Sequence, residues 1–82
     1  MPVIQSIKVV SYYGVFIVVP QWTKYISMNK NGEIFAWESK PQTNSYLWYV
    51  YKQERFRLVA FGDPSVIQWK KSLCRYYANS AN

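Results

Sequence analysis

Residues 25–38 read Tyr25-Ile26-Ser27-Met28-Asn29-Lys30-Asn31-Gly32-Glu33-Ile34-Phe35-Ala36-Trp37-Glu38, two short runs of strand-forming residues on either side of Asn31-Gly32. Asn-Gly is the strongest two-residue hairpin signal, because a type I′ turn needs positive φ at both central positions, which Asn tolerates and Gly adopts freely. A two-residue turn pairs Lys30 with Glu33, Met28 with Phe35 and Ile26 with Trp37. It sets Ile26, Met28, Phe35 and Trp37 on one face and Tyr25, Ser27, Asn29, Ala36 and Glu38 on the other. A three-residue turn with Gly32 in a bulge would pair Met28 with Ile34 and mix these faces, so the first register is expected. The apolar face of the ribbon then requires a cover, either a helix or a second sheet layer.

Before the hairpin, residues 3–13 are rich in Val, Ile and Tyr, and Gly14 separates them from the apolar run 15–19. β-Branched and aromatic residues favour pleated surfaces. One long bent strand and a hairpin at Gly14 both fit, and Pro20-Gln21-Trp22-Thr23 then breaks the pattern. After the hairpin, residues 39–45 offer a core almost nothing and read as a loop. Residues 46–52 and 55–61 read as two more strands. A turn at Gln53-Glu54 would set Leu47, Tyr49, Tyr51, Phe56, Leu58 and Ala60 on one face and Tyr46, Trp48, Val50, Arg57 and Val59 on the other. Gly62-Asp63-Pro64-Ser65 resembles a helix start, with Asp63 as cap and Pro64 at the first helical position. On a helical wheel Val66, Ile67, Trp69, Leu73, Cys74, Tyr76 and Tyr77 fill one half. The tail from Asn79 to Asn82 is polar and reads as frayed.

These elements predict a single α+β domain over residues 1–82. Its antiparallel sheet has four or five strands (about 3–19, 25–30, 33–38, 46–52 and 55–61), and one C-terminal α-helix at about 64–78 packs on one face.

An 82-residue chain in which 20% of residues are aromatic can fill one small core with rings. Ten Lys and Arg against four Asp and Glu give a net charge of +6, which favours nucleic acid, an acidic protein surface or anionic lipid as partner. The chain has no histidine, which removes Ser-His and Cys-His nucleophile pairs, imidazole general bases and His-bearing zinc sites. With Cys74 the sole cysteine no intrachain disulfide forms, in keeping with a reducing cytoplasm. The apolar run 9–19 is too short to span a bilayer and lacks a small-residue cleavage site before Pro20. It reads as strand, and no membrane partner is expected.

The residues Trp22-Thr23-Lys24-Tyr25-Ile26, Gly32-Glu33-Ile34 and Trp37-Glu38-Ser39-Lys40-Pro41, with Trp48 beyond, resemble a pattern of small bacteriophage-encoded proteins, most without an assigned role. In that pattern a Trp-x-x-Tyr/Trp-Ile strand leads through a Gly-containing turn to an aromatic strand ending near Lys-Pro or Glu-Pro. The match covers about a third of the chain. Where the pattern commonly has acidic turn residues, this chain has Asn29-Lys30-Asn31. The resemblance implies a phage or prophage origin and a compact β-rich fold, and it carries over no binding or catalytic residue.

Two basic groups stand out: Lys52, Arg55 and Arg57 around the second turn, and Lys70, Lys71 and Arg75 near the end of the helix. Beside Tyr46, Trp48 and Tyr51 they form the candidate binding surface, with cations for anionic groups and rings for stacking. Glu33, Glu38 and Glu54 fall on different elements, without the pairing that acid and base catalysis requires. Lys70 falls inside the apolar arc and is expected to snorkel, lying on a tryptophan face or pairing with Glu38. Cys74 reads as a small apolar filler. No catalytic residue, metal site or cofactor is expected. The sequence therefore suggests a non-enzymatic, cytoplasmic binding protein that engages an acidic host protein or assembly. The alternatives are a nucleic-acid-binding module and a homo-oligomeric structural phage protein held by its aromatic face.

Overall fold

The computed structural model describes residues 6–76. Residues 3–5 of the expected first strand and residues 77–78 of the expected helix lie outside them, as does the tail after Ala78.

The first strand run is a hairpin, β1 (Ile7–Tyr12) and β2 (Val15–Pro20), paired antiparallel from Tyr12↔Val15 to Ile7↔Pro20. Its two-residue turn has Tyr13 at φ +52° and Gly14 at φ +79°, the two positive values that mark a type I′ turn. The primed turn thus sits at Tyr13-Gly14 and not at Asn31-Gly32.

The central hairpin, β3 (Tyr25–Met28) and β4 (Glu33–Trp37), is present but in the other register, with Met28 opposite Ile34 and Ile26 opposite Ala36. Asn29 N–H donates to the Glu33 carbonyl (2.8 Å) and Gly32 N–H to the Asn29 carbonyl (2.9 Å). The loop is therefore three residues long, with Gly32 in the bulge position at φ +94°. Ile26, Met28, Ile34 and Ala36 turn inward and are buried, and Phe35 and Trp37 move to the face expected to be polar. The exchange has a physical reason. In the observed register the Trp37 indole N–H donates to Ser27 Oγ at 2.8 Å, whereas among Ile26 and Met28 it would have been buried without an acceptor. The turn is also held from outside, since its Gly32 carbonyl accepts Gly62 N–H at 2.7 Å.

The last long strand, β7 (Phe56–Phe61), pairs with β4 and carries a bulge opposite the Ile34–Phe35 step. The expected hairpin of 46–52 with 55–61 is not formed. Only Trp48–Tyr49 (β6) is strand, and it pairs with Gln42–Thr43 (β5) inside the stretch read as loop. Asn44 makes that small turn, its Oδ1 accepting the amides of Tyr46 and Leu47.

The C-terminal α-helix is absent from the described residues, and the α+β expectation gives way to a mostly β fold. Asp63 does start a turn: its Oδ1 accepts Ser65 N–H and Oγ–H, and its carbonyl accepts Val66 and Ile67 N–H. Gln68 is already extended (ψ 106°), a 3₁₀ turn follows at Trp69–Lys71, and Cys74–Arg75 forms β8 against β3. A helix would leave the outer edge of β3 without partners. The extended segment supplies them: Ser72 Oγ accepts Met28 N–H at 2.8 Å, Cys74 pairs with Ile26, and Tyr76 N–H reaches the Lys24 carbonyl at 2.7 Å. Val66, Ile67, Trp69 and Tyr76, β-branched or aromatic, add little helix propensity to oppose this.

The large sheet runs β7-β4-β3-β8. Its inner face meets the β1–β2 ribbon, the second layer, over Tyr12, Val19, Ile26, Met28, Ile34 and Ala36. The ribbon sits between the two sheet edges. β2 lies along β7, and Tyr76 Oη–H donates to the Ser11 carbonyl of β1 at 2.7 Å. The outer face carries the Phe35–Trp37–Phe56 ring cluster.

Candidate functional site

The cations gather where β3 begins and β4 ends. Lys24 enters β3 with its N–H on the Trp37 carbonyl. Lys8 Nζ donates to the Thr23 carbonyl at 2.8 Å, and burial lowers its pKa. Arg75 lies opposite Tyr25. Arg55 grips Glu38 through Nε (3.1 Å to Oε1) and Nη2 (2.6 Å to Oε2), and its guanidinium rests 5.1 Å from the Trp22 ring centroid. Chiefly through that hydrogen bond, Arg55 holds the Glu38 carboxyl below its usual range, and Lys24 adds to the effect. Arg57 sits two residues on, on the same side of the chain.

Ser6, Pro20, Gln21, Trp22 and Arg55 line a cleft of about 480 Å³ there. Lys8, Lys24, Arg55 and Arg57 thus lie toward one end, with Glu38 and Glu54 as carboxylates close to Arg55, whereas Arg75, opposite Tyr25 and so on the Trp37 face, lies on the other edge strand of the sheet. Such an end attracts anionic groups, and the indole beside it adds an apolar contact.

Of the residues singled out from sequence, Arg55 and Arg57 lie together here, whereas Arg75 sits at the same end of the strands but on the opposite edge and on the Trp37 face. Lys52 and Tyr51 line a neighbouring cleft of about 280 Å³ with Ser39, Lys40, Gln42 and Glu54. Tyr51 is exposed and meets Tyr49 edge-on, and Tyr46 is exposed on the Asn44 turn. Trp48 is not at the surface. It is buried, its amide on Asn29 Oδ1 and its indole N–H on the Trp69 carbonyl at 3.0 Å. Lys70 and Lys71 lie toward the opposite end, because Ser72 meets Met28 whereas Arg75 meets Tyr25. With the helix absent Lys70 has no apolar arc to leave; it is exposed, its Nζ 5.6 Å from the Trp69 ring centroid.

Sequence reasoning alone does not find Lys8, Lys24 and Trp22 as site residues. Lys8 lies near the start of β1, Trp22 in the turn between β2 and β3 and Lys24 just before β3, and only the fold shows that these positions coincide. Cys74 is half-buried and free, and burial raises its pKa, which disfavours the reactive thiolate. Among the described residues no three His, Cys, Asp or Glu side chains gather as a metal site, and no helix is long and apolar enough to cross a membrane.

No match was found. No protein-family model matches the chain, and the searches of the curated proteins and of the solved structures returned no match.

Proposed function

We propose that the protein is a small non-enzymatic binding protein whose basic end docks on an acidic protein surface. The observation that carries this reading is the gathering of Lys24, Arg55 and Arg57 at the end of the sheet that holds the Trp22 cleft. Fixed cations around an aromatic anchor are the composition that protein interfaces favour at their energetic centres. The resemblance to phage proteins adds the expectation that the partner belongs to the host and is met in its cytoplasm.

An acidic protein is favoured over nucleic acid because Lys70 and Lys71 lie toward the other end of the sheet from Arg55 and Arg57, and Arg75 lies on the other face. A single strand is usually held along a continuous basic groove with rings at successive positions. Here the central ring of the expected stacking surface, Trp48, is inside the protein.

The test is retention of partners from host lysate on the immobilised protein, with and without nuclease, compared with a Lys24→Glu/Arg57→Glu variant. Nuclease-resistant retention that the variant loses supports the reading. Retention abolished by nuclease, or binding to labelled oligonucleotides that weakens steeply with salt, would replace it by the nucleic-acid alternative. Equal retention by the variant would remove the basic end from consideration.

A further inference from the structure

The β1–β2 ribbon has an outer face that the core does not use. Along an antiparallel pair, opposite residues share a face, and the pairs Val9↔Val18 and Ser11↔Phe16, with Ile7 at the strand start, turn away from the sheet. Ile7, Val9, Phe16 and Val18 are 58, 61, 77 and 54% exposed. Together they show on the order of 500 Å² of largely apolar surface, the size at which a patch on a small protein usually has a role. Lys8, the one charged residue of these two strands, belongs to the opposite face, with its Nζ on the Thr23 carbonyl.

We infer that this face is the contact between two copies of the chain, related by a two-fold axis so that ribbon packs on ribbon. Charge selects the occupant. With a net charge of +6, two copies repel across most of their surface. The outer ribbon face brings no ionised group against another, whereas the basic end proposed to hold an acidic partner would oppose cation to cation. An acidic partner in turn finds no cation on the ribbon face to answer it.

The area is also of the right order. Two such faces remove on the order of 1,000 Å² from water, the lower limit for a specific interface. The contact is therefore a weak, reversible dimer and not an obligate one. A two-fold contact is self-limiting, since each copy offers the same patch once. It also leaves the basic ends of both copies open, so the dimer presents two of the docking sites described above.

The experiment is sedimentation equilibrium of the intact chain over about a hundredfold range of concentration up to the millimolar region, with Phe16→Lys and Val9→Lys as variants. Both substitutions are on the solvent side, and an unchanged thermal unfolding curve shows that the fold is kept. The wild type should rise from the mass of one chain to a plateau at two. Each variant should stay at one chain, its dissociation constant raised at least tenfold. Amide shifts of the wild type on dilution should be confined to β1 and β2. A wild-type mass of one chain throughout, growth past two chains without a plateau, or a dimer unaffected by either lysine would overturn the inference. So would binding of the monomer to neutral phosphatidylcholine vesicles in place of self-association, which would assign the face to lipid. The docking proposal is read separately, from the Lys24→Glu/Arg57→Glu variant, which leaves the ribbon intact.

Discussion

Ser72 is the side chain whose removal should cost most for its size. It is fully buried, and its hydroxyl takes a backbone place in the sheet, accepting Met28 N–H at 2.8 Å and donating to the Trp69 carbonyl at 2.6 Å. Ser72→Ala leaves the Trp69 carbonyl with the Trp48 indole and the Ser72 amide, so that acceptor stays satisfied. The Met28 amide is left buried without a partner. An orphaned buried donor costs about 1–3 kcal/mol, and with the small cavity the expected loss is about 2 kcal/mol. A chain of this length has a total stability of roughly 4–12 kcal/mol, and such a loss lowers Tm by about 8–16 °C. Urea unfolding followed by tryptophan fluorescence measures it, with Ser65→Ala at the exposed Asp63 turn as the comparison. Hydrogen exchange locates it, since Met28 N–H should lose protection while the β4 amides bonded to β7 keep theirs. A loss below about 0.5 kcal/mol, the size of ordinary surface changes, with Met28 still protected, would refute the view that this hydroxyl stands in for a strand.

Glycine substitutions should separate two kinds of turn. Gly32→Ala sets a Cβ at 2.5 Å from the Gly62 carbonyl oxygen at φ +94°, and should cost at least about 2 kcal/mol in urea unfolding. Gly14→Ala meets no atom within 4 Å and should lose only the conformational term, about 1 kcal/mol. Tyr13→Asn should stabilise by up to about 1 kcal/mol, because Asn accepts the left-handed backbone that Tyr13 holds at φ +52°. An unchanged or lower urea midpoint would show that the Tyr13 hydroxyl bond to the Lys71 carbonyl outweighs the strain. Burial raises the phenol pKa values of Tyr12 and Tyr76. Their folded-state values lie above the unfolded value near 10, so their contribution is intact below about pH 10 and is lost as pH rises further. Urea midpoints measured from pH 8 to 11 should therefore fall at the alkaline end, and less so in Tyr76→Phe.

The positions of β3, β4 and β7 are legible in the sequence, because Ile26, Met28, Ile34 and Ala36 lie on short β-prone runs bounded by turn residues. Their register is not. It depends on where the Trp37 indole finds Ser27 and on the grip of Gly62 on Gly32, contacts made by residues far from the turn. The expected helix fails for a related reason. Asp63, Pro64 and Ser65 do begin a helical turn, and the wheel beyond them is amphipathic, but the free edge of β3 competes for the same backbone. That edge lies more than forty residues away in sequence and has no local signature. Arg55, Arg57 and Arg75 can be named as basic residues from sequence, whereas the nearness of Arg55 and Arg57 to Lys8 and Lys24, and the separation of Arg75 from them, need the pairing. Trp48 shows the converse error: a ring expected to stack on a ligand is an anchor for the 3₁₀ turn.

The contact between Gly32 and Gly62 has a practical consequence for work with this protein. Hairpin tips are where chains ordinarily accept tags and inserted peptides, and Asn31-Gly32 would be the first such site chosen from sequence. Here the Gly32 carbonyl receives the Gly62 amide at 2.7 Å, so an insertion would pull a pair of loops away from each other as well as lengthen one of them. The exposed stretch at Lys52-Gln53 turns on a local bond, Glu54 N–H donating to the Lys52 carbonyl at 2.8 Å. It is the better place for a fluorophore or an affinity handle.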